Sequence, residues 1–478
     1  MHQDGEVIMA LFAKHLNKYA PVAAAVQLLC LLLASILEFF VIAAGPMFAY
    51  KSHYFLCVGS GLACIAFCAV TALSTPLRTF RRNSVLLLGG LMVVWFTIVE
   101  LQHRSSQMSS HSISLFIAVY LLALPFAACA QDRLPSRGIQ LAGKVYIAAS
   151  LVLMGYSLLL MVDGLPAFLQ QYVYWDGARL FTIHHPNTTA RFLMVAIAFC
   201  LGLLAQCKSK QGKGALLCAA LLLFVGIAFT NSRACVLLTC LLLAGNVFFY
   251  VFRGNRKTFL CAGAAAVLAA VVLFLSANGL FQWNGARIAE KNLSAQPITV
   301  AADVQSAHRF VQPLSAQPVT AAETSDTATT APQGSWLSDL TTLNSRTMIW
   351  AGALQKIQHS PGILLWGTDS TRITTDTFDV PHTHNAWLEV LLRLGLPGLL
   401  LTLIFTWQAF WSALCLLWKP SAGLLEKNIS MLLLALLATS MLEPFLFFTP
   451  EAYHPIDFIF FLCLGYVMLW KKQLKHKD

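Results

Sequence analysis

The residues of this chain best suited to chemistry are a histidine pair, His382 and His384, in the stretch PHTHNAW, and the arginines Arg191, Arg233, Arg346 and Arg372. An imidazole accepts a proton near neutral pH, and nearby cations and the positive end of a following helix favour its neutral form. His384, with His382 beside it, therefore suits a general base. The same pair could shape a loop, or supply two metal ligands with Asp376, Asp379 or Glu389 completing the set, but HxH alone falls short of a metal site. No metal and no cofactor is expected.

Arginine presents a planar fork that matches the oxygens of a diphosphate. Arg191 follows HHPNTTA, Arg233 lies in the short link TNSRA, Arg346 opens a helical pattern, and Arg372 lies in the loop beyond it. Singly, each is compatible with snorkelling or an ion pair. Together, at the outer ends of membrane spans, they point to a phosphate-bearing lipid.

These groups must be held by a membrane framework. The chain is 58% hydrophobic and 11% charged, with a mean hydropathy of +0.68, which excludes an ordinary soluble domain. A spanning helix needs about 20 apolar residues, and that rule yields an all-α polytopic membrane protein of about twelve spans. Their approximate limits are 21–44, 54–74, 84–101, 113–130, 145–162, 192–206, 215–229, 234–252, 258–276, 397–418, 428–448 and 456–470. The first reads as an anchor rather than a cleaved signal, because it is long and other spans follow directly.

Basic residues cluster in alternate connections: Arg78, Arg81 and Arg82; Arg133, Arg137 and Lys144; Lys208, Lys210 and Lys213; Arg253, Arg256 and Lys257; and the tail from Lys471. Lys and Arg stay on the cytoplasmic side, so both termini are expected there. The net charge of +11 follows from this bias and from anionic headgroups, with no nucleic-acid partner implied. The 13 cysteines lie in or at the edges of spans, without a CxxC pair, and read as small apolar residues.

Two outward connections exceed what a turn requires. The first, 163–189, carries Phe168, Tyr172, Tyr174, Trp175 and Phe181 at spacings of an amphipathic segment at headgroup level, either an aromatic belt or a platform for isoprenoid or sugar. The second divides the chain into spans one to nine (1–276), an outer loop (277–385) and spans ten to twelve with a basic tail (386–478). Its 292–334 part is low-complexity, rich in Ala, Thr, Ser, Gln and Pro. A helix is expected over 345–360, with Ser345 as N-cap, Ile349, Leu354 and Ile357 on one face and Pro361 as the stop. Asn385 can cap a further helix that bends at GLPG, 395–398, into the tenth span.

In this order, NSRACVLL (231–238), SRTMIWAGALQKIQHSPGILLWGTD (345–369) and HTHNAWLEVLLRLGLPGLLL (382–401) resemble the O-antigen ligase and polymerase superfamily of bacterial inner-membrane proteins. The resemblance covers most of the chain from Arg191 onward. It implies a metal-independent glycosyltransferase of the GT-C type that takes a glycan from undecaprenyl diphosphate on the outer face of the membrane. It also implies diphosphate binding by Arg191, Arg233 and Arg346, and a functional histidine at His384. The long insertion before Arg346 departs from the family pattern. A ligase acting on a surface acceptor such as lipid A-core is the leading expectation. A polysaccharide polymerase of the same family is the alternative, and a lipid-linked glycan transporter is the rival from another class.

Overall fold

The computed structural model describes residues 84–103, 136–159, 174–176, 179–181, 186–251, 256–294, 346–368, 372–374, 379–380 and 383–442, with helical residues 456, 459–460 and 463–468. The expected spans 21–44, 54–74 and 113–130, the low-complexity stretch from 295 to 334, Ser345 and His382 lie outside them.

The described part is mostly helical. In chain order it contains α1 (Ser84–His103), α2 (Ser136–Leu159), a hairpin of β1 (Tyr174–Asp176) and β2 (Arg179–Phe181), α3 (Pro186–Leu204), α4 (Lys210–Thr230), α5 (Arg233–Val251) and α6 (Arg256–Ser294). Then come α7 (Arg346–His359), α8 (Ile363–Trp366), a short antiparallel pair β3 (Ile373–Thr374) and β4 (Asp379–Val380), α9 (Ala386–Trp418) and α10 (Leu424–Ser440). Among the described residues, four helices are long and apolar enough to cross a membrane: Pro186–Leu204, Lys210–Thr230, Gly263–Ile288 within α6, and Ala386–Trp418.

Burial sorts these helices into inner and outer ones. In α3, 89% of the apolar window is buried, against 11% for the window in α6. Accordingly α3 is the central post, packed by α2, α4, α5 and α10, while α6 turns Val267, Leu268, Val271 and Leu275 outward, as a lipid-facing helix would. Small residues permit close approach: a Cβ on Gly226 of α4 would fall 2.2 Å from Met154 Sδ. Cys200, Cys235, Cys240 and Cys463 are buried in this bundle.

One boundary differs from the sequence expectation. The helix of the ninth span continues past position 276 to Ser294. Its 39 residues span about 58 Å, well beyond a hydrocarbon core of about 30 Å. Apolar density falls after Ser276, but no proline interrupts 277–294, so the helix persists after the membrane-like pattern ends. In the first long connection, read from the sequence only as an aromatic-rich amphipathic segment, the described residues form a hairpin, with Trp175 opposite Leu180 and Asp176 opposite Arg179. The step Asp176–Gly177 is the sequence signal for such a reversal.

Helix α7 is held by a small core of its own, in which Ile349, Ala353 and Ile357 pack with Ile363, Ile373 and Leu392. Ala353 takes the place expected of Leu354, which is 52% exposed. The helix beginning at Ala386 breaks at Gly395, whose φ of 68° is left-handed, and resumes through Pro397 into the span. The Leu394 carbonyl at this break accepts from Trp95 Nε1 at 2.7 Å, which pins α1 to the bend.

Candidate active site

Several helix ends meet at one end of the bundle. The link between α4 and α5 is tight because Asn231, with φ 54° and ψ 28°, takes the left-handed cap position that Asn tolerates, and its N–H donates to Ala228 O at 3.1 Å. Thr230 Oγ1 donates to Ile227 O at 2.6 Å and accepts from Ser232 N at 3.2 Å. The turn therefore has little freedom, and it delivers Arg233 as the first residue of α5. Arg179, reaching in from the hairpin, donates from Nε to Thr230 O at 3.2 Å.

Arg191 lies on α3, which starts at Pro186, a residue whose fixed φ suits a first helical position. It is only 4% exposed, and its Nη2 donates to Thr188 Oγ1 one turn earlier at 3.1 Å. A guanidinium so deep is costly unless its charge is used. Arg346 is the first residue of α7. Neither α5 nor α7 has an acidic residue in its first turn, so Arg233 and Arg346 add positive charge to helix ends that already favour anions.

His384 sits between two anchored neighbours. Thr383 is fully buried; its N–H donates to Glu389 Oε2 at 3.0 Å, and its Oγ1 lies within hydrogen-bond reach of both Glu389 Oε2 at 3.0 Å and Asn385 O at 2.9 Å. Asn385 caps α9 through Oδ1, which accepts from Trp387 N at 3.0 Å and Leu388 N at 3.1 Å, as the sequence expects. Its Nδ2 donates to Met441 O at 3.1 Å, binding the start of α9 to the end of α10. His384 itself adopts φ 52°, an uncommon conformation for a non-glycine residue that surrounding structure must impose.

A cavity of about 400 Å³ opens among these elements. Arg191, Arg233, Arg346 and His384 line it together with Arg179, Asn187, Asn231, Ser232, Ile349 and Thr439. Four of the residues singled out from the sequence are thus brought into one cleft from positions up to 193 apart. Arg372 is not among the lining residues; it is exposed, and its carbonyl accepts from Lys356 Nζ at 3.0 Å. Arg179, which the sequence reading passed over, joins the cleft because the hairpin folds back over the turn at Thr230. Its sequence signal was an arginine just after a hairpin-type Asp-Gly step in a long connection. Among the described residues, no group of three or more His, Cys, Asp or Glu side chains comes together.

The cleft lies at the end of α3 and α4 opposite the exposed Lys208, Lys210 and Lys213. With 19 residues in α3, the two ends are separated by roughly 30 Å, a hydrocarbon thickness. Several guanidiniums with an imidazole beside them can bind a diphosphate, stabilise charge growing on it, and take a proton from a hydroxyl held nearby.

Residues 218–403 match the protein family described as O-antigen ligase. The match includes Arg233, Arg346 and His384, whereas Arg179 and Arg191 precede it and Thr439 follows it. No curated protein matches the chain.

Proposed function

We propose that the chain, whose residues 218–403 match the O-antigen ligase family, transfers a glycan from undecaprenyl diphosphate to a surface acceptor such as lipid A-core. The cavity shared by Arg191, Arg233, Arg346 and His384 is the observation that carries this reading. In it, the arginines and the N-termini of α5 and α7 hold the donor diphosphate. His384 removes the proton from an acceptor hydroxyl, whose oxygen attacks the anomeric carbon with inversion as the bond to the diphosphate oxygen breaks. The departing diphosphate gains a negative charge, so guanidiniums fixed around it lower the barrier by binding the transition state more tightly than the ground state. A good leaving group of this kind needs charge stabilisation more than a strong acid, and no metal is assigned to the step.

The reaction is assigned to the outer face of the bacterial inner membrane, with both termini in the cytoplasm. The lysine cluster opposite the cleft supports that orientation. Arg179 joins the donor-binding set, whereas Arg372 leaves it. His382 remains a second candidate on sequence grounds.

The test is turnover by purified protein in lipid nanodiscs with an undecaprenyl-diphosphate-linked glycan, offered lipid A-core or a second lipid-linked repeat as acceptor. Glycosylated lipid A-core is the expected product, and His384→Ala should slow its formation by about 10²–10⁴-fold. Elongation of the lipid-linked repeat alone would make the enzyme a polymerase. Unchanged turnover in both His384→Ala and Arg233→Ala would overturn the site.

A further inference from the structure

His384 adopts its uncommon backbone conformation between two neighbours held by hydrogen bonds, and part of that hold comes from within α9. Glu389 is 1% exposed, and its Oε2 accepts from Thr383 N and shares the Thr383 hydroxyl with the Asn385 carbonyl, which lies 2.9 Å from Oγ1. Its other oxygen, Oε1, is buried with no hydrogen-bond partner. A carboxylate kept at such depth with one oxygen unsatisfied costs more than an apolar residue of similar size in the same place. Helix capping does not account for it either, because Asn385 already serves the free N–H groups of Trp387 and Leu388. Thr383 is gripped from a second direction by Trp350, whose Nε1 donates to its carbonyl at 3.0 Å. These bonds fix the backbone N–H, carbonyl and hydroxyl of Thr383, and Asn385 is held by its own cap and by Met441, so His384 lies between two clamped residues.

We infer that Glu389 and Thr383 form a positioning pair that holds His384 in its left-handed conformation and aims the imidazole into the arginine-lined cleft. The inference rests on His384 being the base proposed above. Neither residue lines the cleft, so both act through His384 rather than on substrate. Misplacing a reacting group by about 1 Å can cost on the order of 100-fold in rate while leaving remote binding untouched.

The experiment is a double-mutant cycle in full-length protein, with undecaprenyl-diphosphate-linked glycan as donor and lipid A-core as acceptor. Thr383→Val removes the hydroxyl at nearly constant volume and should lower kcat by about tenfold or more while donor KM stays within about twofold. Thr383→Ser should restore kcat, and Glu389→Ala should reproduce the loss. In a His384→Ala background, Thr383→Val should produce no further decrease in the residual rate. An additional loss there equal to the loss in the wild-type background would mean a structural role and overturn the inference, as would an unchanged kcat in both Thr383→Val and Glu389→Ala. Should Glu389→Ala fail to fold, the Val and Ser variants at Thr383 decide the matter alone. Undiminished activity in His384→Ala would instead remove the base itself, a failure of the proposed function that the single mutants do not mimic.

Discussion

Trp350 Nε1 donates to the Thr383 carbonyl at 3.0 Å, and this bond connects helix α7 to the loop carrying His384. Trp350 lies one helical turn beyond Arg346, on the same side of α7. The indole therefore fixes the distance between a cleft guanidinium and the imidazole, although the two belong to elements far apart in the chain. Trp350→Phe keeps the ring and deletes the donor, leaving a buried carbonyl unpaired at a cost of about 1–3 kcal/mol. The expected outcome is a fall in kcat without loss of donor binding, measured by single-turnover transfer beside equilibrium binding of undecaprenyl diphosphate.

The arginines should not tolerate lysine. Lysine keeps the charge but loses the fork, and at Arg191, buried beside Thr188, its shorter reach also leaves space unfilled. Removing one group that stabilises developing charge costs about 10²–10³ in turnover, and Arg191→Lys, Arg233→Lys and Arg346→Lys should each lose a large part of that. Full rates in the lysine variants would reduce the arginines to nonspecific positive charge.

Arg179 and Arg372 make an internal contrast, since both lie in connections between apolar helices and only the first lines the cleft. Arg179→Ala should raise donor KM severalfold or more, by losing a charge-assisted contact of about 1.5–3 kcal/mol. Arg372→Ala, removing an exposed side chain, should leave KM and kcat near wild type. Steady-state kinetics on the two variants in parallel provide the check, and the reverse ranking would count against the cleft as donor site.

How far the site could be read from the sequence follows from what kind of signal each residue leaves. Arg191, Arg233, Arg346 and His384 were legible because charged or titratable groups next to apolar runs are costly, and hydropathy places them at the same membrane face. Asn385 as a cap and Gly395 as a bend were legible because both are local backbone chemistry. Arg179 was not, since its place depends on a hairpin folding over Thr230, a contact between residues 51 apart. Ala353 rather than Leu354 faces the small outer core for a similar reason: helical spacing narrows the choice to a face, and the partner surface makes the final selection. The continuation of α6 to Ser294 was hidden because the pattern that marks a membrane span ends where lipid contact ends, whereas helix formation only requires that nothing stop it.

The bend at Gly395 offers a stability test that does not depend on catalysis. Gly395 and Gly367 both have left-handed φ, 68° and 72°, and each faces the other's backbone. A Cβ on Gly395 would lie 2.5 Å from Leu365 O, and one on Gly367 would lie 2.0 Å from Arg393 O. Thr368 N donates to Leu392 O at 2.7 Å between them, so α8 is fastened to α9 by main chain, without side chains that could yield. Alanine at either position adds the cost of a left-handed residue, about 1–3 kcal/mol, to a backbone clash that only a shift of one helix can relieve. Gly395→Ala and Gly367→Ala should therefore lower the melting temperature of detergent-solubilised protein, whereas Gly263→Ala, where a Cβ meets nothing within 4 Å, should leave it unchanged or slightly raised. Because the same junction seats α7 against the start of α9, the two destabilised variants should also lose transfer activity below their melting transitions. A wild-type melting curve for Gly395→Ala would mean that the bend is not fixed by this backbone contact.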